Sequence, residues 1–223
     1  TKKLSTPFVS ITSTTHAAAS PPAEIASQKS ADGSTVRVAG AGAQWQIGGG
    51  LIVGNAGDGS LNITAGGTVT ATTLDEGDQA GGRGHIAVDG ASSILTLTGA
   101  ATIGDAGDAA MTIFNGGSVV ADSLTVGAQV GSAGNIDLEG FGSHLKLTGD
   151  LNVGTVGNGV VTIGAGTTLT LGGTIHIGAG GSLINRGGTI DPPALIVDAG
   201  GSTGGFGTFE YGTITNNGTL FTT

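Results

Sequence analysis

Laid against itself at an offset of 50 residues, the chain matches in detail, and this repeat restricts the possible fold more than any other feature. Gly40, Gly90 and Gly140 align, as do Gly54, Gly104 and Gly154, and then Gly57, Gly107 and Gly157. Apolar positions keep the same register: Val36, Ile86 and Ile136; Val38, Val88 and Leu138; Trp45, Leu95 and Leu145; Val53, Ile103 and Val153; Ile63, Ile113 and Ile163. Three copies begin near Thr35, His85 and Asn135. The third drifts by one residue late on, where Gly178 takes the place that Gly77 and Gly127 predict. A period of this length marks stacked units, none of which buries its apolar face alone.

Within one copy the apolar residues come as i, i+2 pairs: Val36 with Val38, Trp45 with Ile47, Leu51 with Val53, Leu61 with Ile63, and Val69 with Ala71, with a weaker strand from Leu74. That is the period of a half-buried strand, with Gly, Asn and Asp between the pairs. Six short strands in 50 residues fit two turns of a three-sided coil, about 25 residues each. The expected fold is therefore all-β, a right-handed parallel β-helix with about two coils per repeat. Inward Val, Ile and Leu stack in columns, outward Thr, Ser and Asn form polar rows, and corner glycines supply positive φ. A β-propeller with kelch-like blades is the rival. It needs about four or more blades to close and aromatic anchors in each, and this chain has three copies and 4% aromatic residues.

Composition narrows the function classes. Sixteen acidic residues against seven basic ones give a formal charge of -9, so no basic patch exists for a nucleic-acid partner. The same sign disfavours anionic membrane surfaces, and no apolar run approaches the ~20 residues of a membrane-spanning helix. Without cysteine there are no disulfides or thiolate metal sites. The chain starts at Thr1 and not Met, which a cleaved secretion signal would explain.

Three segments are expected. Residues 1–34 do not join the repeat and read as an N-terminal extension or linker, with Pro7-Phe8-Val9-Ser10-Ile11-Thr12 as a capping or donor strand. Phe8, Val9 and Ile11 are the candidate self-association residues, because the end coils of a β-helix carry unpaired backbone groups. Residues 35–188 form the β-helix, and residues 189–223, interrupted by Pro192-Pro193, form a C-terminal coil or cap.

The run Val38-Ala39-Gly40-Ala41-Gly42-Ala43-Gln44-Trp45, followed by Gly50 to Ile63 and Gly66-Gly67-Thr68-Val69, resembles the Gly-rich repeat of bacterial autotransporter passenger domains. The resemblance covers roughly residues 35–188. It implies a β-helix displayed outside the cell, of the kind common in adhesins, with no set ligand. The expected role is an extracellular structural or adhesive rod or self-assembling fibre subunit, not an enzyme. Its expected partners are further copies of itself and a host or matrix glycan or protein. A polysaccharide-binding or polysaccharide-cleaving β-helix is the alternative.

Candidate chemistry is sparse. Asp58, Asp108 and Asn158 share one repeat position two coils apart, about 9.6 Å at strand spacing, which is wide for carboxylates working across a glycosidic bond. Their Gly-flanked turns resemble calcium-binding Gly-Asp repeats, but those need adjacent turns to share an ion. The most unusual cluster is Asp75, Glu76, Asp78, Arg83 and His85, where copy two has Thr125, Val126, Ala128, Ala133 and Asn135. These five are the candidate ligand-binding residues. His16, His144 and His176 fall at different repeat phases. No catalytic residue, metal site or cofactor is expected.

Overall fold

Short runs of alternating apolar residues make strands that cannot bury themselves within one turn, so the chain winds and covers each run with the next. In the computed structural model, residues 33–222 are described continuously, preceded by the strands Lys3–Leu4, Phe8–Ile11, Thr14–Ala17 and Ala23–Ile25. Among the described residues every pairing between strands is parallel and falls into one of three stacked sheets, with one isolated antiparallel bridge between Gly164 and Gly187. Among the described residues, sheet 1 has ten strands, including Ser34–Ala39, Asp58–Thr64, Arg83–Asp89 and Asp108–Phe114; sheet 2 has nine, including Gln44–Ile47 and Thr68–Ala71; sheet 3 has ten, including Leu51–Val53, Leu74–Glu76 and Ala101–Ile103. The fold is a three-sided parallel β-solenoid, and no described residue is helical.

Inward side chains form the expected columns. In sheet 1, Val36, Leu61, Ile86, Met111, Ile136 and Val161 stack one per coil, beside Val38, Ile63, Val88, Ile113, Leu138 and Ile163. All twelve are buried. The sequence nevertheless repeats only at every second coil, because consecutive coils differ elsewhere. In sheet 3, Leu51, Leu74, Ala101 and Leu124 are successive register partners separated by alternately shorter and longer stretches of chain. The corner leading from sheet 3 into sheet 1 is short after Val53 and Ile103 and longer after Glu76 and Val126, so only alternate coils match.

Corner glycines serve two purposes. Gly54, Gly77 and Gly104 have φ of 72°, 67° and 74°, as turn geometry requires. Gly107 and Gly157 adopt ordinary φ. A Cβ there would collide with the carbonyl oxygen of Gly82 or Gln129 respectively, so packing of neighbouring coils, not φ, excludes a side chain.

The solenoid extends beyond the repeat at both ends. Phe8–Ile11 pairs with the Ser34–Ala39 strand of its own chain through Val9↔Val36, and Ala23–Ile25 pairs with Leu51–Val53. The stretch set apart in sequence thus supplies further coil strands. The side chains of Phe8, Val9, Ile11 and His16 lie outside the described residues. Towards the C-terminus the coils shorten: the sheet 1 partners Val161, Leu183, Thr203 and Leu220 come closer together in sequence at each step. Ile214 and Leu220, on the terminal described strands of sheets 3 and 1, are exposed.

Candidate functional site

The strand Leu74–Glu76 begins with an inward Leu74, and alternation along three residues turns Asp75 outward and Glu76 inward. Glu76 is register partner to Val53 on one side and Ile103 on the other, in a column that also includes Ile25, Val126, Val153 and Ile177. It is fully buried, and neither carboxyl oxygen has a hydrogen-bond partner. Burial pushes its pKa up to about 8, against a weaker opposing pull from the nearby backbone amides of Ala110 and Ile86. Gly84, across the corner in sheet 1, makes room for it: a Cβ on Gly84 would collide with the Glu76 Cγ.

The five candidate residues therefore do not form one site. Asp75 and Asp78 are half-buried on the outside of the sheet 3 edge, and Arg83 and His85 are exposed on the outer face of sheet 1. Glu76 alone points into the core. The outer acids have a neighbour that sequence reasoning passed over. Asp78 and Asp105 each follow a corner glycine, Gly77 and Gly104, in consecutive coils, and Asn55 holds that place one coil earlier. Burial raises the pKa of Asp75, reinforced by Asp78 and Asp105, while the Thr102 hydroxyl acts the other way. Asp78 is raised by burial and by Asp105, and lowered by its hydrogen bond to Gln79. Gln129 Nε2 donates to Asp105 Oδ1 at 3.0 Å. Comparing single coils as well as whole repeats would have placed these acids together.

The row that starts sheet 1 resolves the other carboxylates. Asp58, Arg83 and Asp108 are successive register partners, so a guanidinium stands between the two acids. Arg83 Nε lies 3.9 Å from Asp108 Oδ2 with both side chains largely exposed, an ion pair of small energetic weight. Arg83 and Asp108 border a groove of about 340 Å³ on the outer face of sheet 1, with Ala110, Asn135, Asn158 and Val160 along it. Elsewhere, His176 Nε2 lies 2.8 Å from Asp198 Oδ2. Among the described residues no group of three or more His, Cys, Asp or Glu is arranged to hold a metal ion.

No protein-family model and no curated protein matches the chain. Among solved structures it is similar to the TibC-catalysed, hyper-glycosylated TibA fragment covering residues 55–350, at 16% sequence identity and a TM-score of 0.29, over 98% of this chain and 95% of that one.

Proposed function

We propose that the chain is an extracellular structural or adhesive rod, without enzymatic activity, whose copies associate end to end. The observation that carries this reading is the continuity of the three parallel sheets. Ten strands at a spacing of ~4.8 Å make a stiff body ~43 Å long, in which most inward positions serve stacking. The resemblance of the Gly-rich repeat to autotransporter passenger domains, together with the low charge and outward polar rows, supports a place outside the cell. Because all strands run parallel, the leading edge of one copy can continue only the trailing edge of another. Such a contact is heterologous and grows into a filament. Electron microscopy of the purified chain at rising concentration tests it. Rods that lengthen in steps support end-to-end growth, and a compact particle of fixed size at every concentration would overturn it.

The groove beside Arg83 favours a second reading, a polysaccharide-binding face on sheet 1. Amide and charged side chains one coil apart offer repeated hydrogen-bond partners along an open surface. Binding of uronic-acid polysaccharides that weakens in Arg83→Ala and Asn135→Ala would support it. Binding unaffected by both would remove the groove from consideration.

A further inference from the structure

We propose that Glu76 is a proton-controlled latch: its uncharged carboxyl is carried inside the solenoid, and loss of the proton opens the coils around it.

The geometry gives an ionised carboxyl little support, since the nearby Ala110 and Ile86 backbone amides offset its burial only weakly. Glu76 is fully buried in an otherwise aliphatic column, and neither oxygen has a partner. Its strand packs against Leu51–Val53, Ala101–Ile103, Arg83–Asp89 and Asp108–Phe114. The first two carry no titratable group. On the other two, Arg83, His85, Asp89 and Asp108 all stand on the outer face, away from the column. Asp75 on its own strand, with Asp78 and Asp105 at the corner, also stands outside and has the sign that repels a carboxylate. A charge at Glu76 therefore gains its hydration only if the coil opens. The place to open is adjacent. The longer corner after Glu76 runs through exposed Gln79, Ala80 and Gly81, and beyond it Gly84, without a side chain, packs against the Glu76 Cγ.

The proposal is independent of what the rod adheres to. Hydrogen exchange of the intact chain, corrected for the intrinsic pH dependence of exchange, tests it between about pH 5 and 7.5. Protection over residues 74–89 should fall about tenfold per pH unit, while the corresponding residues 124–139 one repeat later, where Val126 replaces Glu76, should not change. Glu76→Gln should abolish the slope over residues 74–89. Glu76→Val, which copies the Val126 coil, should do the same and serves if the Gln variant fails to fold. An unchanging wild-type protection over residues 74–89, or the same slope in either variant, would overturn the proposal.

Discussion

Two inward polar side chains of this solenoid, Asn185 and Glu76, are accommodated in opposite ways; a third, Thr203, follows Leu183 in its column towards the C-terminus with its hydroxyl unpartnered. Asn185 is register partner to Ile163 and is fully buried. Its amide nitrogen donates to the carbonyl oxygens of Gly188 and Thr208, each at 3.1 Å, and its amide oxygen accepts from the Gly188 backbone N–H at 2.9 Å. Glu76 is as deeply buried and has no partner for either oxygen. Asn185 sits where the coils begin to shorten and backbone groups leave the ladder, so its amide replaces lost strand bonds. Glu76 sits among coils of regular length whose backbone groups are already paired. There the acid is tolerated through its proton, its chain length and the missing side chain at Gly84. Burial alone thus says little about an inward polar residue; what surrounds it decides whether it holds the coil closed or weakens it.

The largest effect should come from moving the acid to a column position without such accommodation. Ile113 is fully buried between Val88 and Leu138, and Ile113→Asp should cost about 4 kcal/mol or more, unfolding the central coils in a thermal melt. A small loss would mean that any inward site accepts a carboxyl and that the Glu76 coil is not special. Next comes the pH dependence of Glu76 itself. Its pKa is raised in the folded state, from 4.5 to about 8, so the folded protein holds a proton that the unfolded chain releases. Its contribution is fully present below about pH 4.5, is lost progressively as pH rises, and is gone above about pH 8. Glu76→Val should therefore stabilise the chain, by several kcal/mol at pH 8 and by less at pH 5. A uniform gain across that range would contradict the assignment.

Asn185→Ala is expected to be milder, costing about 2–3 kcal/mol, because it strands the Gly188 N–H and removes the amide bonds to the Gly188 and Thr208 carbonyl oxygens, the first of which still accepts from the Thr208 N–H. Its effect should not vary with pH between 5 and 8, which separates it from Glu76. Smallest is Thr112→Asp, one residue from Ile113 on the half-buried outer face of sheet 1, which should change stability by no more than about 1 kcal/mol. Equal losses at Thr112 and Ile113 would show that the two faces are misassigned.

Much of this organisation was legible in the sequence. The i, i+2 spacing of Val36 with Val38 or Leu61 with Ile63 fixes which face each residue takes, and the repeat register names the columns in advance. The first coil was not legible, because its spacings are off-period. Val9 pairs with Val36 and Thr15 with Trp45, each pair further apart in sequence than Val36 and Leu61, so self-alignment is blind to it. The candidate site was half legible. Asp75, Glu76, Asp78, Arg83 and His85 stand out because they depart from copy two, yet grouping them by proximity in sequence overlooked the alternation that makes Leu74 and Glu76 share a face. The alignment of Glu76 with Val126 already carried that signal. Nothing in the sequence shows that Gly84 leaves the space, since that depends on how closely sheets 1 and 3 approach at one corner.

The central claim is that the sequence repeats at every second coil while the structure stacks at every coil. The chain has no cysteine, so paired substitutions test it against a clean background. Ala87 and Thr112 are register partners on the outer face of sheet 1, and Asp137 is the partner of Thr112 one coil further on. Oxidation of Ala87→Cys with Thr112→Cys should form an intramolecular disulfide readily, because adjacent strands lie ~4.8 Å apart. Ala87→Cys with Asp137→Cys, two coils or ~9.6 Å apart, should not. Cross-linking of the two-coil pair in preference to the one-coil pair would contradict the account.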